Sequence, residues 1–591
     1  MKRNEVETKY KWDLESIYAT DEKWEQDFAK ASALVGNIEA YKGKLSDKAE
    51  LLKCLKCIDE TEMVLYKLFN YAHMRKDENT ANDFYGAMTD RCFQLFSTFG
   101  AKCAFVEPEL SALSDEFLSS LVSDADFSDY DYKISEIIRG KKYILSEKEE
   151  RILALSSIPM GAFEDIFAKA DNVDIPLGYI TVDGKREKLT HGKYAYYLDH
   201  PDQKVRKKAF DAYYLAYKKI LNILGATYAG SVKSDNFIAK VRGFDNSMQM
   251  AMYNENVPAI VYENLLKSIN KALPTLHRYM ALRKKLLNLK TMNMYDMFVS
   301  FVETDIKVDY DTAFEMVKEG LAPLGEDYVA LLQKSKDERW IDVFETENKR
   351  SGAYSSGCYG TKPFVLLNYS YTAHDVFTIA HELGHSIHSY YSRERQPFAK
   401  SRYEIFVAEV ASTVNEVLLL KHLINNTQDK QFKKYLLAYY LNMFRTTVFR
   451  QTMFAEFEYL AHEKDANGEA LTPAMLSDEY YKLNKKYYGE AVNHNEQIAF
   501  EWARIPHFYS AFYVYKYATG LTSAVAIARN VLQNPAYVEK YKKFLSSGSS
   551  ASPYDILCLA GVDLATSEPF EEAMKEFEDT LKQLEELNEE N

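Results

Sequence analysis

Along much of the chain, apolar residues recur at spacings of three and four. Residues 23–39, 48–74, 147–170 and 205–242 each show this period, which predicts amphipathic helices with one buried stripe. Strand patterning is scarce. Residues 175–182 and 185–190 flank Asp183-Gly184 and predict a hairpin around a two-residue turn. Residues 363–369, Pro-Phe-Val-Leu-Leu-Asn-Tyr, predict a second strand after the turn-rich stretch 351–360. The tail, 569–591, predicts a charged acidic helix at the surface. The pattern therefore indicates a mostly α fold with a minor sheet. No run approaches the ~18 consecutive apolar residues of a membrane span. No fixed repeat or low-complexity linker appears. The expected organisation is an N-terminal helical region, 1–195, with a helical subdomain at about 112–185, followed by a second, larger region, 196–591.

Composition narrows the function. A hydrophobic content of 47% in 591 residues supports a real core, so extensive disorder is not expected. The 73 basic residues against 87 acidic ones leave a formal charge of −14. That argues against a nucleic-acid partner, which needs a basic surface. Six cysteines are scattered along the chain, too sparsely for a disulfide framework. Cys54 and Cys57 have C-x-x-C spacing, but no second pair follows and the flanking residues are helical in period, so buried or half-buried thiols are expected there. The charged start, Met-Lys-Arg-Asn-Glu-Val-Glu, lacks the apolar stretch of a secretory signal. Together with free thiols, it points to the cytoplasm.

The chemistry concentrates in residues 372–388, Thr-Ala-His-Asp-Val-Phe-Thr-Ile-Ala-His-Glu-Leu-Gly-His-Ser-Ile-His. Thr372 and Asp375 have the spacing of a capping box. Val376, Ile379, Ala380, Leu383 and Ile387 form one buried stripe. His381 and His385, four apart, project from one helix face about 6 Å apart at Cβ, close enough for both to bind a single zinc ion. Glu382, one position round, is placed to act on water without binding metal. With 12 histidines and 87 acidic residues in the chain, chance gives on the order of 0.02 H-E-x-x-H matches. Gly384 inside this helix costs about 1 kcal/mol against Ala; a close approach by another backbone or by substrate would account for it.

Zinc hydrolases add a third protein ligand and keep a position open. The downstream candidates are Glu394, Glu404, Glu409 and Glu416. Glu394 falls in a polar loop around Pro397, and Glu404 is expected in the first turn of the next helix, where the dipole favours it. Glu409 is embedded in Ile405-Phe-Val-Ala-Glu-Val-Ala-Ser-Thr-Val414, where a carboxylate needs a compensating cation or hydrogen bonds. Glu409 is therefore the expected third ligand. Glu416, seven residues on, is read either as a carboxylate orienting a ligand histidine or as an ordinary satisfied side chain. His374 and His388, seven residues either side of His381, are left as supporting residues.

Further segments carry a resemblance. They are Ser351-Gly-Ala-Tyr354, Tyr359-Gly360, Leu367-Asn-Tyr369, 375–385, Phe406-Val-Ala-Glu-Val-Ala-Ser412 with Asn415-Glu416, and Arg504-Ile-Pro-His-Phe-Tyr509 through Tyr517-Ala-Thr-Gly520. With the H-E-x-x-H segment they resemble the thimet-oligopeptidase-like zinc metallopeptidases, specifically the oligoendopeptidase F branch. The resemblance extends more weakly over nearly the whole chain. It implies a two-lobed helical fold around a deep substrate channel, a small β-sheet near the active site, one zinc ion per chain, and short unstructured peptides as substrates. It also supports Glu409 as ligand, and a loop and strand edge at 354–369 against which substrate backbone pairs.

In that family a histidine and tyrosines from a late segment stabilise the oxyanion. His507 matches the histidine; Tyr509 and Tyr513 are the expected tyrosines, with Tyr515 and Tyr517 as rivals. The Gly-rich loop that precedes the histidine in the animal enzymes is replaced here by Trp502-Ala-Arg-Ile-Pro506. Read from the residues alone, Pro506 starts a helix and the tyrosines are core packing. The expected activity is hydrolysis of internal peptide bonds by metal-activated water, with Glu382 as general base. A helical zinc metallocarboxypeptidase and a non-catalytic peptide-binding protein are the competing readings.

Overall fold

The computed structural model describes residues 1–302 and 306–589. The chain divides into two compact units, each assembled from three segments: Met1–Lys142 with Ile306–Asn425 and Ile527–Val562, and Tyr143–Asp305 with Asn426–Ala526 and Asp563–Asn591. Both are mostly helical, with small sheets. Among the described residues, no helix is long and apolar enough to cross a membrane.

In the first unit, helices Asp21–Asn37, Lys48–Glu78 and Asp83–Cys103 bury Trp24, Leu68, Met74 and Cys92 in one core that also takes in Phe364 and Leu366. The periodic stretch beginning at Lys48 runs four residues beyond the expected end, to Glu78. Cys54 and Cys57 both lie on this helix as free thiols, the first buried and the second half-buried. Burial pushes the Cys54 thiol up to about 12, so it is unreactive near neutral pH.

Strand Phe364–Tyr369 forms as the sequence predicts. It is the centre of a three-stranded sheet, parallel to Ile341–Phe344 and antiparallel to Tyr354–Ser356. A central strand is covered on both faces, which explains its continuous apolar run. The hydrophobic pattern predicts neither flanking strand, although the family resemblance implies a strand edge within 354–369. Tyr354–Ser356 lies inside the turn-rich stretch 351–360. Ile341–Phe344 contains Asp342, only 2% exposed, whose burial is compensated by Arg3 at 2.7 Å and Lys349 at 2.7 Å.

The H-E-x-x-H helix, Ala373–Arg395, packs on this sheet and is followed by helix Ile405–Asn426. Ser355 Oγ and Ser386 Oγ, 2.8 Å apart, tie the edge strand to the motif helix.

In the second unit, helix Gln203–Arg242 is capped by Asp202 and ended by Gly243 in the left-handed region, φ 81°. Helix Glu147–Lys169 leads into the hairpin Tyr179–Val182 and Lys185–Lys188. Asp183 (φ 48°) and Gly184 (φ 76°) supply the two positive φ values that a two-residue type I′ turn requires. Helices Lys430–Met443, Arg450–Ala466 and Pro473–Tyr488 precede two short turns, Glu496–Arg504 and Pro506–Tyr509. The helix expected at Pro506 is thus a single four-residue 3-10 turn, because the chain bends again at Ser510. The tail forms helix Glu568–Glu589; the last two residues of the expected tail helix lie outside the described residues.

Candidate active site

The motif helix starts where its capping box predicts. Thr372 Oγ1 accepts the Asp375 N–H at 3.2 Å, and Asp375 Oδ2 accepts the Thr372 N–H at 2.8 Å. Ser370 donates to the same oxygen through its N–H and hydroxyl, so the helix entry is held by four donors. From this start the buried stripe Val376, Ile379, Ala380, Leu383 and Ile387 faces the core. The opposite face carries His374, which is exposed, and Thr378, His381 and His385, which are part-buried.

His381 and His385 sit one turn apart with ring centroids 4.8 Å from each other. Glu409 Oε2 lies 3.5 Å from Nε2 of both rings. One nitrogen from each ring and this oxygen all fall within 4.8 Å of one another. Bonds of ~2.0–2.1 Å in tetrahedral geometry place neighbouring donors about 3.4 Å apart. The two separations therefore match a shared small divalent cation, and two imidazoles with one carboxylate are a suitable donor set for it.

Glu416 completes the arrangement from behind. Its Oε1 is 2.6 Å from His381 Nδ1. In the neutral ring, a proton on Nδ1 shared with this carboxylate leaves the Nε2 lone pair turned toward Glu409. Burial lowers the His381 pKa, but the Glu416 hydrogen bond and the charges of Glu416, Glu382 and Glu409 carry it up to about 9. The His385 hydrogen bond holds Glu409 down at about 2 against the opposing effect of its burial. Three carboxylates around two imidazoles make a field that favours a cation.

Glu382 is only 7% exposed. Burial raises its pKa, with His381 and His385 pulling the other way. The result is a carboxylate that is more basic than usual.

Glu409 earns its place differently from the sequence argument. Its side chain is 47% exposed and not enclosed by its apolar neighbours; what distinguishes it is the side of the helix from which it emerges. Glu394 and Glu404 are exposed outside this cluster, and Glu404 precedes the helix, its carbonyl accepting from Val407 and Ala408.

Two residues explain how the helices come so close. At Gly384, an added Cβ would stand 2.6 Å from Ser412 Cα and 2.9 Å from the Ala411 carbonyl oxygen. The motif helix and the helix bearing Glu409 thus cross backbone to backbone. Asn415, fully buried, donates to the Ala380 carbonyl at 3.0 Å and accepts from the Tyr328 hydroxyl at 2.8 Å. The sequence showed Asn415 only as part of a matching segment; a buried amide inside an apolar run was the available signal. His388 stacks on Tyr403 at 3.7 Å and is a packing residue. His374 lines a cavity of about 380 Å³ with Gly352, Ala353, Asn368, Tyr369 and Thr378.

The late residues belong to the second unit. His507, Tyr513 and Tyr517 form an aromatic trio: His507 Nε2 is 3.1 Å from the Tyr517 hydroxyl, and the Tyr513 ring lies 6.0 Å from the His507 ring. Burial lowers the His507 pKa, keeping the ring neutral. Tyr509 stands apart from the trio, stacked on Phe167 at 4.5 Å with its hydroxyl 2.8 Å from Thr227 Oγ1. Tyr515 donates to Glu255 at 2.8 Å. In the preceding turn, buried Glu501 accepts from Arg450 at 2.7 Å, Arg504 at 3.1 Å and Tyr480 at 2.5 Å.

Comparison with known proteins agrees with this chemistry. Residues 196–576 match the model of peptidase family M3, and residues 109–176 match that of oligopeptidase F. The oligopeptidase PepF of Bacillus subtilis is 43% identical over 591 residues, which cover 99% of this chain and 88% of the relative. Among solved structures, a protein described as a peptidase from Chlamydophila abortus is 33% identical with a TM-score of 0.94, covering 99% of each chain. The oligoendopeptidase-F of Enterococcus faecium is 33% identical with a TM-score of 0.74, covering 97% of this chain and 100% of its own. With more than half its length matched by one family model and relatives this similar along their full length, the chain belongs to peptidase family M3, in its oligoendopeptidase F group, and is a metallopeptidase.

Proposed function

We propose that this protein is a zinc-dependent endopeptidase that hydrolyses internal bonds of short oligopeptides. The observation that carries the reading is the convergence of His381, His385 and Glu409, with separations of 3.5 Å between the carboxylate and each ring. In this reading these three hold one zinc ion and Glu416 orients His381. When bound, zinc supplies Lewis acidity, polarising a carbonyl and making water a stronger acid. Glu382 takes the proton of the attacking water on its carboxylate and passes it to the leaving amine. Its raised pKa suits both halves of that transfer. The neutral His507 ring donates an N–H to the developing oxyanion, assisted by the hydroxyl of Tyr513. Tyr509 is the other expected tyrosine, and its engagement with Thr227 supports Tyr513 over it.

The cavity beside His374 and Tyr369 is the proposed seat of substrate backbone, next to the edge strand Tyr354–Ser356. The names of the relatives support short peptides as substrates. The lack of disulfides among the described cysteines supports the cytoplasm as compartment.

Glu382→Gln tests the mechanism. It should retain the metal and lose activity by roughly 10²–10⁴-fold; a variant with undiminished activity removes Glu382 from this role. Wild-type enzyme should cut an internally quenched peptide blocked at both ends, and a chelator should stop it. Trimming of free C-termini alone would replace the endopeptidase reading with an exopeptidase one.

A further inference from the structure

Helix Arg450–Ala466 buries a carboxyl group that the proposed mechanism does not use. Glu458 has 0% exposure. Its Oε1 accepts the backbone N–H of Phe512 at 2.7 Å, and its Oε2 has no hydrogen-bond partner. A polar group in such a place is costly unless what it holds matters. What it holds is unusual, because Phe512 sits in the left-handed region at φ 57°. A bulky residue keeps that conformation only when its surroundings over-determine it.

The same helix also grips the Phe512 side chain. The His462 ring packs 4.7 Å from the Phe512 ring. His462 is itself fixed at both nitrogens, by the Glu458 backbone carbonyl at 2.8 Å and by Asp235 at 3.1 Å. Tyr262 closes on Phe512 at 5.7 Å.

Phe512 is the residue at which the chain turns between His507 and Tyr513. The flanking bonds are local: the Ser510 N–H donates to the His507 carbonyl, the Tyr513 N–H to Ser510, and the Tyr517 N–H to Val514. The Phe512 N–H instead reaches out to the Glu458 side chain. We propose that Glu458 is a positioning residue: by fixing the Phe512 backbone it sets the relative placement of His507, Tyr513 and Tyr517. This rests on the proposed oxyanion role of His507. Burial pushes the Glu458 carboxyl up to about 8, against the pull of the His462 charge; charged or neutral, it offers Oε1 as the acceptor. The amide of Gln reproduces that acceptor.

The test uses the zinc-loaded full chain and a blocked quenched peptide. Glu458→Met removes the acceptor at similar length. It should lower kcat by roughly 10- to 100-fold, the effect of misplacing catalytic groups by about an ångström, with KM and zinc content close to wild type. Glu458→Gln should restore most of the kcat. In a His507→Ala background, Glu458→Met should add less than about 3-fold, because both changes act on one element. Wild-type kcat in Glu458→Met overturns the proposal, as does a full additive loss beside His507→Ala or a Gln variant as impaired as Met.

If His507→Ala alone leaves kcat unchanged, the oxyanion reading falls and takes this inference with it. If His507→Ala is impaired while Glu458→Met is not, only this inference falls. Should Glu458→Met not fold, amide exchange decides: strong protection of the Phe512 N–H is expected in the wild type, and exchange at the rate of an open loop overturns the proposal.

Discussion

Replacing Gly384 by alanine adds one methyl group where two helix backbones touch. An added Cβ would lie 2.6 Å from Ser412 Cα, and carbon–carbon contact begins near ~3.5 Å, so the helices must separate by about 1 Å. The neighbour is backbone, so no side chain can swing aside. The cost falls at the upper end of overpacking, about 3 kcal/mol, and the better helix propensity of alanine offsets about 1 kcal/mol of it. A net loss of about 2 kcal/mol is expected. Glu409 lies three residues from Ser412 on the displaced helix, and its Oε2 stands 3.5 Å from both imidazoles. Adding about 1 Å exceeds the span that ~2.1 Å bonds can close, so metal affinity should fall by at least about 100-fold. The assays are competition with a chromophoric chelator for zinc, and denaturant unfolding of the metal-free protein. A Gly384→Ala variant with wild-type affinity and wild-type unfolding would refute the backbone crossing. Lost stability with unchanged affinity would show that the crossing does not set Glu409.

Other perturbations have equally definite outcomes. Glu416→Ala removes the partner of His381 Nδ1 and should weaken zinc binding by roughly 10–100-fold in the same competition assay; Glu416→Gln, which keeps an accepting oxygen, should lose less. Glu501→Gln leaves the half-buried Arg450 and Arg504 charges without their carboxylate and should destabilise by about 3 kcal/mol in denaturant unfolding. Burial pushes His388 down to about 3. Its folded value lies below the unfolded ~6.5, so its contribution is complete above that pH and is lost as pH falls toward 3. The His388→Phe variant, able to keep the stack on Tyr403, should escape this loss. From pH 7 to pH 5, metal-free wild type should lose about 2 kcal/mol more than the variant; equal losses would contradict a neutral buried His388.

Local features were legible because their causes are local. The capping box at Thr372 and Asp375, the one-turn spacing of His381 and His385, the Asp183-Gly184 turn and the helix beginning at Lys48 depend on residues within a turn or two of each other. The strand at Asp342 was hidden because its partners, Arg3 and Lys349, are brought there only by folding. Among the late tyrosines, one segment supplied four candidates of the same kind. Packing separated them, by putting Phe167 and Thr227 against Tyr509, Glu255 against Tyr515, and His507 against Tyr517.

By itself, then, the sequence determined the helical class, the turn bearing His381 and His385 with its cap, and the carboxylate of Glu382 beside it, since helix period and side-chain chemistry settle these within a few residues. Tertiary structure alone decided that Glu409 meets both rings, that Glu416 stands behind one of them, and that Gly384 lets their helices touch. It also decided that each compact unit gathers three separate stretches of chain. Such pairings join residues tens to hundreds of positions apart, and their geometry is set by how whole helices pack, which no local pattern of residues encodes.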